Sequence, residues 1–244
     1  MAHIDGWIAY GASKRGMVSW LIGASQCEKE FCPKIKGVVP IVPLEPNLND
    51  GVHHQWRAYG AFSWAFGPYA AEELTTTWDG DVWQEAYKIG EPLSYLDRYE
   101  KIPKLVIVSS NDEFMMMEWT ANWWDKMTGE KYLLINDNTE HTEATGVVKV
   151  ANAVAWFINR IKDGETYNYN FTHELKDDKV TVTLEEETER PVEVGLRYAQ
   201  TTQGKMRDFR WVILGDHENP DHPCTFPNFQ IPGKKGPNGV NLCF

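Results

Sequence analysis

No apolar run in the 244-residue chain approaches the roughly 20 residues that a membrane-spanning helix needs. Positive charge is also scarce. Lys and Arg number 24 against 35 Asp and Glu, a formal net charge of -11. Phosphate backbones are bound by clustered Lys and Arg, so nucleic acid is not an expected partner. Internal repeats and low-complexity tracts are absent, which leaves an ordinary globular organisation. Zinc-type spacings are missing too. Asp216, His217, Asp221, His222 and Cys224 crowd one loop and His53 and His54 adjoin, but neither group forms a recognisable ligand unit. No metal and no cofactor are expected. Met1-Ala2-His3-Ile4-Asp5 is not an apolar targeting segment.

What is present is enough apolar residue for a core, 42% of the chain, with eleven tryptophans. The most informative stretch is Gly11-Ala12-Ser13-Lys14-Arg15-Gly16. It lies between a short buried-strand pattern, Trp7–Tyr10, and a helix pattern beginning Met17-Val18-Ser19-Trp20. A serine flanked by glycines at a sharp strand-to-helix turn is how α/β-hydrolases present a nucleophile. The turn lifts the hydroxyl above the sheet and brings the next backbone N–H, that of Lys14, to the reacting carbonyl. The usual pattern has glycine two residues after the serine. Here Arg15 holds that position and Gly16 follows.

Two later segments extend the pattern. Lys104–Ser110 is a β-branched run that reads as a core parallel strand, and it ends in Asn111-Asp112-Glu113-Phe114. Tyr132–Ile135 reads as another strand and runs out to Glu140-His141. The chain order Ser13, Asp112, His141 is the hydrolase order, with acid and base just past strand C-termini, where open α/β sheets collect their functional groups. Histidine would take the serine proton, and the aspartate would fix its tautomer and stabilise the imidazolium.

At this point the chain resembles the PhoPQ-activated pathogenicity-related family, autocrine proliferation repressor-like proteins included. The matching segments are GASKRG with Trp20-Leu21, Val38-Val39-Pro40, His53-His54 with Tyr59-Gly60, Asn111–Phe114, Gly129–Tyr132, Glu140-His141 with Ala144-Thr145-Gly146, and Arg207–Arg210. The resemblance implies an α/β-hydrolase-like domain, a secreted, extracellular or periplasmic setting, and Ser13, Asp112 and His141 as triad.

In the complete hydrolase arrangement the nucleophile follows the fifth strand, whereas here it comes at residue 13. The chain therefore reads as the C-terminal part of a longer protein. On that reading the loop expected to supply a second oxyanion donor would lie outside this sequence, leaving the Lys14 N–H as the expected donor. Loss of one such donor costs about 10²–10³ in turnover. The apolar strand at 6–10 would have an unpaired edge, so aggregation or self-association through it is expected.

Residues 1–44 and 101–163 alternate strand and helix patterns, which implies a parallel sheet. Between them, about 45–100 has no clear strand and reads as a helical cap insertion. Its aromatic cluster, Trp56, Tyr59, Phe62, Trp64 and Phe66, either packs cap on body or walls a substrate groove, with Trp56, Tyr59 and Trp64 as wall candidates. Val147–Ile158 has helical periodicity, ended by Asp163-Gly164.

From about 166 the period becomes two, in Tyr167–Phe171, Lys179–Leu184, Val192–Tyr198 and Phe209–Ile213. With a polar turn at Lys176-Asp177-Asp178, this reads as a C-terminal antiparallel β-sandwich over 166–244, with 215–244 as an irregular tail. Of three disulfide pairings, Cys27–Cys32 and Cys224–Cys243 is the simplest. Asn170-Phe171-Thr172 is a glycosylation sequon. The resulting expectation is a partial α/β-hydrolase over 1–165, acting on an ester or peptide bond. The rival is a secreted signalling protein that works by surface recognition of an unknown receptor.

Overall fold

A computed structural model describes residues 4–25, 34–44, 46–60, 62–164, 171–184 and 195–199, and the strands at 230–235 and 241–243. Four strands form a parallel sheet: β1 (Trp7–Ala12), β2 (Ile35–Ile41), β3 (Lys104–Ser109) and β4 (Lys131–Asn136), in the spatial order β1-β2-β3-β4. Between β1 and β2 runs α1 (Lys14–Ala24). The chain from β2 to β3 is helical, with α2 (Leu48–Tyr59), α3 (Gly67–Ala71), α4 (Leu74–Thr77), α5 (Asp81–Gly90) and a 3-10 segment at Pro92–Tyr99. After β4 comes α6 (Val147–Asp163), which stops at Gly164 with φ of 70°. An αL glycine is the usual helix stop, because without a Cβ it adopts that conformation without strain.

The sheet is covered on both faces, which explains why Leu105–Val108 of β3 is an unbroken apolar run and every residue of the strand is buried. Val106 and Val108 face one side, where Trp20 of α1, Tyr99, Trp119 and Trp123 pack. Leu105 and Ile107 face the other, against Val150 and Phe157 of α6. Successive strand side chains point to opposite faces, so one strand serves both cores. Lys104, also in β3, is fully buried. Its Nζ donates to the carbonyls of Tyr99 and Ile102 at 2.8 and 2.7 Å, and burial pushes the ammonium down to about 8.

The strand expected to be buried at residues 7–10 forms but is not buried. β1 is the last strand of the described sheet, so Trp7 and Tyr10 are 53% and 72% exposed. The sandwich is not formed by the described residues. Instead β5 (Phe171–Lys176) and β6 (Lys179–Leu184) make an isolated antiparallel hairpin, exposed on both faces. Its Asp177 and Asp178 have φ of 49° and 60°, the paired positive values of a tight two-residue hairpin turn. Residues 195–199 carry no strand, and 209–213 lie outside the described residues. The tail is not irregular throughout, since β7 (Gln230–Lys235) and β8 (Asn241–Cys243) pair antiparallel.

Candidate functional site

Ser13 sits at the junction of β1 and α1 with φ of 58° and ψ of -123°. Such a conformation is sparsely populated for a residue with a Cβ and costs on the order of 1–3 kcal/mol. The surroundings hold it. Its N–H donates to the Ile41 carbonyl of β2 at 2.9 Å, and its own carbonyl accepts from the Gly16 and Met17 N–H groups. The glycine spacing follows from two close approaches. A Cβ on Gly11 would lie 2.7 Å from the Cβ and carbonyl oxygen of Arg15, so the residue at the usual glycine position can be large because Gly11 is not. A Cβ on Gly16 would lie 2.9 Å from the Pro43 backbone, so that is where the helix needs its glycine.

Asp112 follows β3 and is almost wholly buried. Its Oδ1 accepts from the N–H groups of Phe114 and Met115 at 2.7 and 2.8 Å, which fixes the carboxylate on its loop. His141 follows β4. Its Nδ1 lies 2.9 and 2.8 Å from the two Asp112 oxygens, and its Nε2 lies 2.8 Å from the Ser13 hydroxyl. A carboxylate only accepts, so the Nδ1 proton faces Asp112 and Nε2 is free to accept from Ser13. Burial works to lower the His141 basicity. The Asp112 hydrogen bond and charge, with the charges of Glu113 and Glu143, outweigh it and hold the imidazole above its ordinary value.

Lys14 is the first residue of α1, and first-turn N–H groups have no partner within their helix. Its Nζ lies 5.3 Å from the Tyr69 ring centroid of α3. Of the wall candidates, Trp56 is 52% exposed and packs edge-on to Phe62 at 5.0 Å, while Tyr59 is buried. The side chain of Trp64 lies outside the described residues. So do Cys27, Cys32, Cys224 and the side chain of Cys243, and so does Asn170. No cluster of three or more metal-type ligands occurs among the described residues. No described helix is long and apolar enough to cross a membrane.

Beside Lys14 is an apolar cavity of about 170 Å³ between the sheet loops and the β2–β3 helices. Phe66, Tyr69, Leu74, Trp78, Trp83 and Phe114 are among its walls, and Trp56 and Tyr59 are not. Phe114 also touches the His141 ring, at 4.7 Å between centroids.

Three buried polar residues were not singled out from sequence. Glu113 Oε2 accepts the His141 backbone N–H at 3.1 Å. Burial pushes the Glu113 carboxyl above its ordinary value, although that backbone hydrogen bond opposes the shift. Glu143 Oε1 accepts from Ser109 at 2.6 Å at the end of β3, and its Oε2 accepts from Asn136 at the end of β4. Burial raises its carboxyl too, against those two hydrogen bonds. Gln55 of α2 is 1% exposed and donates to the Phe114 carbonyl at 2.7 Å, tying the helical segment to the Asp112 loop. The only available signal was position: Glu113 adjoins Asp112, and Glu143 is two residues past His141.

Several known proteins resemble this chain. Autocrine proliferation repressor protein A of Dictyostelium discoideum is 29% identical over 219 residues, which are 87% of this chain and 43% of that protein. The chain thus spans less than half the length of this curated relative. Among solved structures, esterase B of Lactobacillus rhamnosis is 14% identical with a TM-score of 0.48, over 66% of this chain and 55% of that one. The acylaminoacyl peptidase of Pyrococcus horikoshii is 17% identical with a TM-score of 0.46, over 67% and 25%. An esterase of Pyrococcus furiosus is 16% identical with a TM-score of 0.40, over 63% and 52%. Residues 1–210 match the family described as PhoPQ-activated pathogenicity-related protein, and the chain belongs to that family.

Proposed function

We propose that this chain carries the catalytic centre of a serine hydrolase that transfers an acyl group from an ester or amide to water. The unbroken hydrogen-bonded run Asp112–His141–Ser13 is the observation that carries this reading. Ser13 Oγ attacks the substrate carbonyl while His141 Nε2 takes the hydroxyl proton. Asp112 keeps the Nδ1 proton in place and stabilises the imidazolium. The Lys14 N–H donates to the developing oxyanion. The tetrahedral intermediate collapses, and the leaving oxygen or nitrogen takes the proton from His141. Water then gives a proton to His141 and attacks the acyl-serine. Collapse of this second intermediate releases the carboxylic acid and restores Ser13–OH.

The test is labelling of the chain with a serine-directed fluorophosphonate, alongside Ser13→Ala. Labelling at Ser13 that vanishes in the variant is the expected result. No labelling, together with no hydrolysis of activated esters, overturns the reading. That outcome would favour a second one, supported by the name of the Dictyostelium relative: a secreted protein of the same fold that works by surface recognition, with the serine, histidine and aspartate retained only structurally. Mass mapping of non-reduced peptides for Cys27–Cys32 and Cys224–Cys243, with glycan analysis at Asn170, tests the extracellular setting under either reading.

A further inference from the structure

We infer that the cavity beside Lys14 is the specificity pocket of this centre and takes an uncharged apolar group of about six carbons, a phenyl ring or a short alkyl chain. The inference rests on the hydrolase reading above. Position is the first support. Three wall residues belong to the reacting centre's own loops: Lys14 directly follows Ser13, Phe114 touches the His141 ring, and the Met115 N–H holds Asp112. A group in this cavity is therefore attached to a carbonyl at Ser13 by a short link. Size is the second support. The cavity holds about 170 Å³, and an apolar cavity of about 150 Å³ accommodates benzene. Chemistry is the third. Apart from Lys14 the walls are aromatic and aliphatic, so a charge deep inside would be desolvated without a partner, and the Lys14 ammonium, 5.3 Å from the Tyr69 ring centroid, also repels a cation.

The same apolar group can sit on the acyl half or on the leaving half of the substrate, and two ester series separate them. One varies the acyl chain of ethyl esters from acetate through butyrate and hexanoate to decanoate. The other varies the alcohol of acetate esters over the same lengths. Each buried methylene is worth about 0.8 kcal/mol, roughly fourfold in kcat/KM. In one series kcat/KM should climb about fourfold per carbon to an optimum near six carbons and fall at ten. That series identifies the half that enters the pocket. Leu74→Trp, which fills the cavity from α4, should lower the ratio of six-carbon to two-carbon kcat/KM at least tenfold. A direct readout uses sulfonyl fluorides. Inactivation by phenylmethanesulfonyl fluoride should outpace methanesulfonyl fluoride at least tenfold, and Leu74→Trp should erase that difference. If fluorophosphonate still labels Ser13 but neither series has an optimum and the two sulfonyl fluorides react alike, the pocket inference is wrong and the hydrolase reading stands. If fluorophosphonate does not label Ser13, the hydrolase reading fails, and this inference with it.

Discussion

Glu113 holds the backbone of the residue whose side chain its neighbour Asp112 holds. Asp112 binds His141 Nδ1 at 2.8 Å, and Glu113 Oε2 accepts the His141 N–H at 3.1 Å. Two consecutive acids after β3 thus fix both the ring and the main chain of one histidine after β4. The arrangement is economical because β3 and β4 are neighbours in register, with Ser109 opposite Asn136 at their C-terminal ends. Loops leaving those ends are brought together without any long connection.

Glu113 is accordingly expected to act as a positioning residue. Glu113→Ala should reduce kcat on an activated ester about tenfold or more, because a buried hydrogen bond to a charged group is worth about 1.5–3 kcal/mol. Glu113→Gln keeps an acceptor oxygen and should recover most of that loss. A purely structural role would give equal melting-temperature losses in both variants with no kcat difference between them. Paired measurement of kcat and thermal midpoint separates the cases.

That Ser13, Asp112 and His141 meet could be read from sequence because each stands just beyond a strand and the three fall in hydrolase order. Glu113, Glu143 and Gln55 could not. Residue type does not distinguish a carboxylate buried under a loop from one in solvent; burial here is set by how β3, β4 and α2 meet. Which aromatics of the β2–β3 segment line the cavity beside Lys14 is hidden for a related reason. Trp56 and Tyr59 stand in a clear helix, whose periodicity does not tell which face meets the sheet loops. Trp78 caps the four-residue α4 and Trp83 stands in the amphipathic α5, and neither pattern tells what its apolar face meets. At the C-terminal end, alternation and the Asp177-Asp178 turn identified β6 and its hairpin. Whether a second sheet covers such a hairpin depends on long-range pairing, about which local alternation is silent.

Under the proposed hydrolase function, activity should depend on pH through His141, which must be neutral to accept the serine proton. Burial would lower its basicity, but the Asp112 hydrogen bond and charge prevail and raise it. The acidic limb of kcat/KM should therefore have its midpoint above the ordinary imidazole value of about 6.5, with activity rising as pH rises through it. Asp112→Asn removes the charge and should move that midpoint downward. It should also cut kcat by about 10⁴, the loss seen when a triad histidine is left in the wrong tautomer. A midpoint unmoved by this substitution would mean that another group limits the rate.

Stability should have the opposite slope. Burial raises the Glu113 and Glu143 carboxyls, and Asp112 raises His141, so the folded chain binds these protons more tightly than the unfolded chain does. For a group with a raised folded-state value, the contribution is complete below its unfolded value. It is lost as pH climbs through the folded one. Denaturant midpoints should therefore decline as pH rises past the ordinary glutamate and histidine values. Asp137 and Glu140 are shifted the other way, Asp137 by the Lys149 and Arg197 hydrogen bonds, and Glu140, against the effect of its burial, by its contacts with Thr142, Thr145 and nearby N–H groups. Their stabilisation is lost only as the solution becomes more acidic than the ordinary carboxylate range. Glu143→Gln should flatten the decline. The amide can keep its oxygen on the Asn136 amide and donate its nitrogen to the Ser109 hydroxyl, so the variant should stay close to wild-type stability at the acidic end. An unchanged slope would locate the pH dependence elsewhere.

The β1 edge is the last feature with a measurable consequence. Among the described residues β1 is hydrogen-bonded to a neighbour on one side only, and Trp7 and Tyr10 on it are largely exposed. An open strand edge offers a row of N–H and C=O groups to any other strand, and exposed aromatics beside it add apolar burial to that pairing. The 244-residue chain is therefore expected to self-associate in a concentration-dependent way. Sedimentation velocity over a hundredfold concentration range measures this. Tyr10→Lys places a charge where a second strand would pack, a device natural edge strands use, and should shift the distribution toward monomer. Fluorophosphonate labelling of the same samples reports whether Ser13 is still presented once the edge has been blocked. A wild-type chain that stays monomeric at the highest concentration and unfolds in one cooperative step would mean that the exposed aromatics of β1 do not drive pairing.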